Sequence, residues 1–177
     1  MADPLVGIVM GSDSDLEVME GCVDALAQLD VGCEVRVLSA HRTPDATIEW
    51  ARTAADRGLR VLVAGAGMAA HLPGVVAAVT SLPVIGVPIA AGRLQGWDAL
   101  LAIAQMPPGV PVATVAIDGG RNAGLLAARI LGAADPEVRE RVDAFRSEQA
   151  ERVRERDARV RERFDHRRDE RGGFGFG

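Results

Sequence analysis

Three chemically able side chains fall within four residues of the chain, in the stretch Ser39-Ala40-His41-Arg42-Thr43-Pro44. Ser39 offers a hydroxyl, His41 an imidazole and Arg42 a guanidinium. An imidazole exchanges a proton near neutral pH, and a guanidinium grips an anion through two parallel N–H donors. Together they suit a reaction in which an anionic molecule is held while a proton moves on it. A single His in such a stretch reads first as an exposed turn residue. Three polar groups together shift the balance toward a site. Two other stretches share this character. Gly11-Ser12-Asp13-Ser14-Asp15 carries two hydroxyls and two carboxylates. Gly65-Ala66-Gly67-Met68-Ala69-Ala70-His71 is small, free of acids, and ends in a second imidazole. Its glycines, Gly67 among them, let backbone approach a small ligand closely. His71 has two readings: it lines a site from a helix start, or it bonds backbone.

Each stretch follows a run that reads as a strand. Residues 5–10 form a continuous apolar run ended by Gly11, the pattern of a strand buried on both faces. Residues 33–38 are rich in β-branched side chains and lead into Ser39; residues 60–64 lead into Gly65. Further strands are expected at 84–87 and 112–117. The segments between them read as helices. Ser14 and Glu17 have the spacing of a capping box, and Thr43 with Pro44 reads as an N-cap and first helical residue, opening a helix to about Arg57. Strands alternating with helices imply a parallel sheet with right-handed crossovers. In such sheets ligands bind at the carboxyl ends of the strands, where all three stretches fall. Residues 1–135 are therefore expected to form one α/β domain. Residues 136–165 read as a charged helix extending it, with a thin apolar line at Val138, Val142, Phe145, Val153, Val160 and Phe164. Its outer half is expected to be solvated and its inner half to pack on a neighbouring subunit. Residues 166–177 are expected to be a disordered tail.

Composition narrows the chemistry. All twenty basic residues are Arg, so a Schiff-base lysine and a Walker-type phosphate loop are excluded. The net charge of −5 lies in residues 1–134, with eight Arg against thirteen acids; residues 135–177 carry twelve of each. The Arg-rich end is thus charge-balanced and not a nucleic-acid arm. Two cysteines, Cys22 and Cys33, give no disulfide framework and no metal-ligand spacing, which fits a reducing cytoplasm. No signal peptide is expected from Met-Ala-Asp-Pro, and no apolar run reaches membrane-spanning length. Residues 65–70 match the dinucleotide pattern G-x-G-x-x-A, but they follow the third strand. No acid occurs between Asp56 and Asp98, so that reading fails.

Taken in order, Met10 to Asp15, Ser39 to Pro44 and Ala64 to Gly74 resemble the N5-carboxyaminoimidazole ribonucleotide mutases of the phosphoribosylaminoimidazole carboxylase family. Gln105-Met-Pro-Pro-Gly109 and residues 122–131 are similar to it too, and the resemblance spans roughly residues 5–145. It implies a three-layer flavodoxin-like fold with a five-stranded parallel sheet. It implies a homo-oligomer, an octamer, with active sites near subunit contacts. The implied substrate is a ribonucleotide monophosphate with a carbamate on the exocyclic amine of an imidazole; the product carries that carboxylate on ring carbon C4. No metal, ATP or organic cofactor is implied, and neither nucleic acid nor membrane is a partner. Carried over by motif, Ser12, Ser39 and Arg42 bind the phosphate and its surroundings, Asp15 the ribose hydroxyls, and His41 is the general acid–base. The residue types agree: a strand-end loop entering a helix suits a phosphate, and a carboxylate accepts both hydrogen bonds of a diol. The implied mechanism is decarboxylation followed by recapture of carbon dioxide, which the apolar segment 64–70 would enclose.

The chain departs from the family at two places. Met68 stands where common members have Gly, and the turn Asp118 to Arg121 is slightly shorter. Three rivals remain. Direct carboxylation of aminoimidazole ribonucleotide keeps the fold, but Arg42 after His41 matches the mutase class. A signalling receiver needs an acceptor Asp after the third strand and a Lys after the fifth, and neither is present. A non-catalytic nucleotide binder has no need of His41.

Overall fold

The computed structural model describes residues 3–172, and the side chains of residues 3–165. The elements in chain order are β1 (Val6–Met10), a 3-10 turn (Asp13–Asp15), α1 (Leu16–Gln28), β2 (Cys33–Val37), α2 (Pro44–Arg52), β3 (Val61–Gly67), α3 (Leu72–Ala77), β4 (Val84–Ile89), α4 (Trp97–Ala104), β5 (Ala113–Thr114), α5 (Gly120–Gly132) and α6 (Pro136–Gly172). All five strands are parallel, in the order β2-β1-β3-β4-β5. The expected flavodoxin-like sheet is present. The chain moves outward from β1 to β2 and then returns past β1 to β3, so the switch point lies between β1 and β3.

Alternation along the strands divides the core into two faces. Val6, Ile8, Val61, Val63, Ile85 and Val87 pack with Met19, Cys22 and Leu26 of α1, Ala123, Ala127 and Leu131 of α5, and Val138 and Val142 of α6. Val9, Leu62, Ala64 and Val84 pack with Trp50 and Ala51 of α2, Leu72 and Val76 of α3, and Ala99 and Ile103 of α4. On the first face two glycines set the spacing. A Cβ on Gly120 would lie 2.0 Å from the Val18 carbonyl oxygen, and one on Gly124 2.6 Å from that of Cys22. Backbone of α5 therefore rests directly on backbone of α1. At the exposed edge, Glu34 of β2 accepts from Trp50 Nε1 (2.6 Å) and Arg57 Nη2 (2.8 Å), tying β2 to α2 and the turns after it.

Several boundaries differ from the sequence reading. β3 runs on to Gly67 because Gly65 and Gly67 pair with Val87 and Ile89; ladder pairing on both sides overrides their low strand propensity. β5 is only Ala113–Thr114, because Pro88 on β4 has no N–H to continue the ladder. The capping box at Ser14 does not form: the Ser14 hydroxyl donates to Asp15 (3.2 Å), Ser12 caps the 3-10 turn, and α1 begins at Leu16. α2 ends as a regular helix at Arg52, and turns continue to Gly58. α6 continues through residues 166–172, so the backbone shows no break where a disordered tail was expected to start. Residues 173–177 of that expected tail lie outside the described residues. Among the described residues no helix is long and apolar enough to cross a membrane.

Candidate active site

Register brings the strand ends level. Met10 pairs with Val37 on one side and Gly65 on the other, so the segments after β1, β2 and β3 open onto the same end of the sheet. They surround a cleft of about 330 Å³. Its lining includes Ser12, Asp15, Ser39, His41, Arg42, Gly67 and His71, every residue singled out in the sequence. A smaller pocket of about 260 Å³ shares Ser12, Ser39 and Arg42 and opens toward Thr43 and Val37.

The loop after β2 is held by its own polar groups. Thr43 Oγ1 accepts from Ser39 N–H (2.9 Å) and donates to Ser39 O (3.2 Å), so it closes the loop instead of capping α2. The Arg42 N–H donates to Ser39 Oγ (3.2 Å). The Arg42 side chain reaches back to β1, donating from Nη2 to Gly11 O (3.1 Å) and weakly from Nε to Ser39 Oγ (3.5 Å). Nη1 has no partner among the described residues and remains available to an anion. Ser12 Oγ accepts from Ser14 N–H (3.3 Å) and donates to Asp13 (3.2 Å). Burial raises the Asp15 carboxyl above its ordinary value, against the opposing effect of hydrogen bonds from Ser14 and the backbone at Ser12.

His41 and His71 meet. His41 Nε2 lies 2.7 Å from His71 Nδ1, with the rings edge to face at 81°. One proton bridges the two nitrogens, so the tautomer of one ring fixes that of the other. The His71 ring lines the cleft, and among the described residues it bonds no backbone and makes no cap bond to α3.

Sequence reasoning missed the fourth wall, the segment after β4. Ala91 lines the cleft, and Ala90 N–H donates to Asp118 Oδ1 (2.8 Å), while Asp118 N–H donates to Pro88 O (2.8 Å). Asp118 sits at φ 56° in the turn after β5 and pins the β4 loop. Its acid at a Gly-rich turn was the only available signal. The described residues hold no cluster of three or more His, Cys, Asp or Glu able to bind a metal ion. Cys22 and Cys33 are both free thiols; burial, reinforced by the Cys33 charge, pushes Cys22 up to about 12.

The chain is 60% identical over 157 residues to the N5-carboxyaminoimidazole ribonucleotide mutase of Mycobacterium tuberculosis, covering 89% of this chain and 90% of that one. It is 54% identical over 153 residues to the phosphoribosylaminoimidazole carboxylase of Schizosaccharomyces pombe, covering 86% of this chain and 28% of that larger protein. The crystal structure of Treponema denticola PurE superposes with a TM-score of 0.80 at 30% identity, covering 89% of this chain and 98% of that one. The AIR carboxylase family matches residues 5–152, and the chain belongs to that family.

Proposed function

We propose that the chain is a mutase that converts N5-carboxyaminoimidazole ribonucleotide to 4-carboxy-5-aminoimidazole ribonucleotide in purine biosynthesis. The observation that carries this reading is the His41–His71 contact in a cleft with a half-free arginine, in a chain of this family. Arg42, Ser12 and Ser39 take the phosphate and its surroundings, and Asp15 takes the ribose diol. The Gly67 backbone lies against the carboxylate. The carbamate N–C bond breaks, its electron pair returns to nitrogen, and His41 supplies the proton. The ring then turns, C4 attacks the carbon dioxide, and His41 removes the C4 proton. One proton is lent and recovered, so the reaction is neutral overall and His41 ends as it began. His71 acts as the other half of the proton relay: a charge arriving on His41 spreads across the bridging proton. His41 and His71 are both exposed, and a nucleotide that covers them would strengthen this coupling.

Direct carboxylation of aminoimidazole ribonucleotide is the second reading, favoured by the name of the Schizosaccharomyces pombe relative. The deciding assay offers purified protein the N5-carboxylated nucleotide without ATP or bicarbonate. Turnover to the C4 carboxylate supports the mutase. Turnover only of aminoimidazole ribonucleotide with carbon dioxide supports the carboxylase, and binding without turnover removes both.

A homo-oligomer, an octamer, belongs to the same proposal. Leu94, Trp97 and Leu101 are exposed on and before α4, and a partner subunit would cover them. A monomeric mass by light scattering at micromolar concentration would exclude it. A cytoplasmic setting, with its two thiols reduced, completes the reading.

A further inference from the structure

Asp118 does not line the cleft, yet it stands at a junction between two of the cleft's walls. Its carboxylate accepts from the N–H of Ala90 (2.8 Å), the first residue after β4, and its own N–H donates to Pro88 O (2.8 Å). Ile117 beside it packs where the same loop ends. A Cβ on Gly96 would meet Ile117 Cγ2 at 2.7 Å and Ala90 Cα at 3.2 Å. One turn therefore holds both ends of segment 90–96. Within that segment Ala91 lines the cleft and lies against Gly67 of β3, where an added Cβ would meet it at 3.0 Å.

The far end of the turn bears on the first wall. Gly120 leaves no room for a Cβ against the Val18 carbonyl, and a Cβ on Gly21 would lie 3.3 Å from Arg121 N. Val18 and Gly21 belong to the first turns of α1, which opens directly after Asp15 of the cleft. Residues 117–121 thus bridge the wall after β1 and the wall after β4. Backbone contact makes one end of the bridge, and the Asp118 carboxylate ties the other. That tie contributes little stability. Asp118 and Ala90 are both exposed, and Asp118 sits at φ 56°, where a Cβ is disfavoured. A hydrogen bond open to water and offset by backbone strain fixes position more than it stabilises.

We propose that Asp118 is a positioning residue: its carboxylate fixes the wall after β4 against the wall after β1 and so sets the width of the cleft that the nucleotide enters. The identity of that nucleotide rests on the mutase reading above. Asp118 touches no reacting atom. Its effect falls on binding, because a wall that drifts weakens the contacts made across the cleft. Proton transfer at His41 is spared, since its loop is braced by its own hydrogen bonds.

The test compares Asp118→Gly with Asp118→Asn. Glycine suits φ 56° and removes the acceptor; asparagine keeps an acceptor oxygen at the same reach and tolerates the same conformation. Hydrogen exchange at the Ala90 amide reads the bond itself. It should rise at least about fivefold in Asp118→Gly and stay within about twofold of wild type in Asp118→Asn. Affinity for aminoimidazole ribonucleotide by titration calorimetry should weaken about three- to tenfold in Asp118→Gly. KM should follow it, with kcat within about threefold of wild type. Asp118→Asn should restore affinity and KM to within about twofold. Unchanged exchange in β1 and β3 shows that the core of Asp118→Gly is intact. Loss of protection throughout those strands would make Asp118 a stability residue and overturn the proposal. So would faster exchange at Ala90 with unchanged affinity, or an affinity loss that accompanies a change in particle mass. If wild-type protein shows no turnover, the mutase reading falls, and the exchange and calorimetric measurements still decide the role of Asp118.

Discussion

The loops after β2 and β3 each contribute one histidine to the same contact, yet they are held in different ways. Residues 39–44 are braced by short polar contacts: Thr43 holds both backbone groups of Ser39, and Ser39 Oγ holds the Arg42 N–H. Residues 67–71 make no side-chain hydrogen bond before His71, and two of them, Met68 and Ala70, sit at positive φ without being glycine. Each such residue costs about 1–2 kcal/mol. What fixes the second loop is packing at its ends: a Cβ on Gly67 would meet Ala91 at 3.0 Å, and Ala70 and Leu72 are buried. One loop is thus set by its own sequence and the other by its neighbours. The first presents charge and hydrogen bonds to a ligand, and the second presents an apolar wall.

The largest effect that would test this division is at the histidines. His41→Asn should lower turnover by about 10⁴-fold, the upper end for general acid–base catalysis, while the nucleotide still binds by titration calorimetry. His71→Asn should lower turnover less, and the double variant should be no worse than His41→Asn alone, because the pair acts as a unit. Additive losses would mean that the 2.7 Å contact has no part in the reaction. Next is Arg42→Lys, which keeps the charge and loses the fork. Nucleotide affinity should fall by about 1.5–3 kcal/mol; an unchanged dissociation constant would remove Arg42 from the phosphate.

Thr43→Val probes the bracing itself. It deletes both bonds to Ser39 and should cost about 1 kcal/mol in urea unfolding, with a smaller effect on turnover. A loss of turnover as large as at His41 would show that the loop geometry, and not the imidazole, limits the reaction. The smallest effect concerns Asp15. Because burial raises its folded pKa, it takes up a proton at higher pH than an ordinary aspartate, and its grip on the diol is lost as pH falls through that raised value. The apparent KM should therefore climb on the acid side earlier than for a free carboxylate, and Asp15→Asn should flatten that limb. The same shift works against folding when Asp15 is ionised, and that penalty fades as pH falls. Asp15→Asn should thus be slightly more stable at neutral pH by thermal unfolding, and a less stable variant would contradict the sign.

The sheet and the seven residues singled out along the cleft could be read from the chain because each belongs to a local pattern. An apolar run, a stop, and a polar or glycine-rich loop place Ser12, Asp15, Ser39, His41, Arg42, Gly67 and His71 at strand ends without knowledge of the fold. What escaped depends on residues distant in sequence. The choice between two roles for His71 turns on His41, thirty residues away. The length of β3 turns on Ile89, and that of β5 on a proline in the neighbouring strand. The clamp at Asp118 spans two loops.

The direct seating of α5 on α1 bears on the order in which a growing chain completes its core. α1 emerges from the ribosome early, and its apolar face at Met19, Cys22 and Leu26 finds only sheet to lie against. The helix that covers it begins at Gly120, after all five strands have been made. On the opposite side α2, α3 and α4 follow one another onto the sheet as they are synthesised. One side of the nascent domain therefore closes progressively while the other stays open until Gly120 and Gly124 arrive, and a chain cut before them would expose α1 to aggregation and to chaperones.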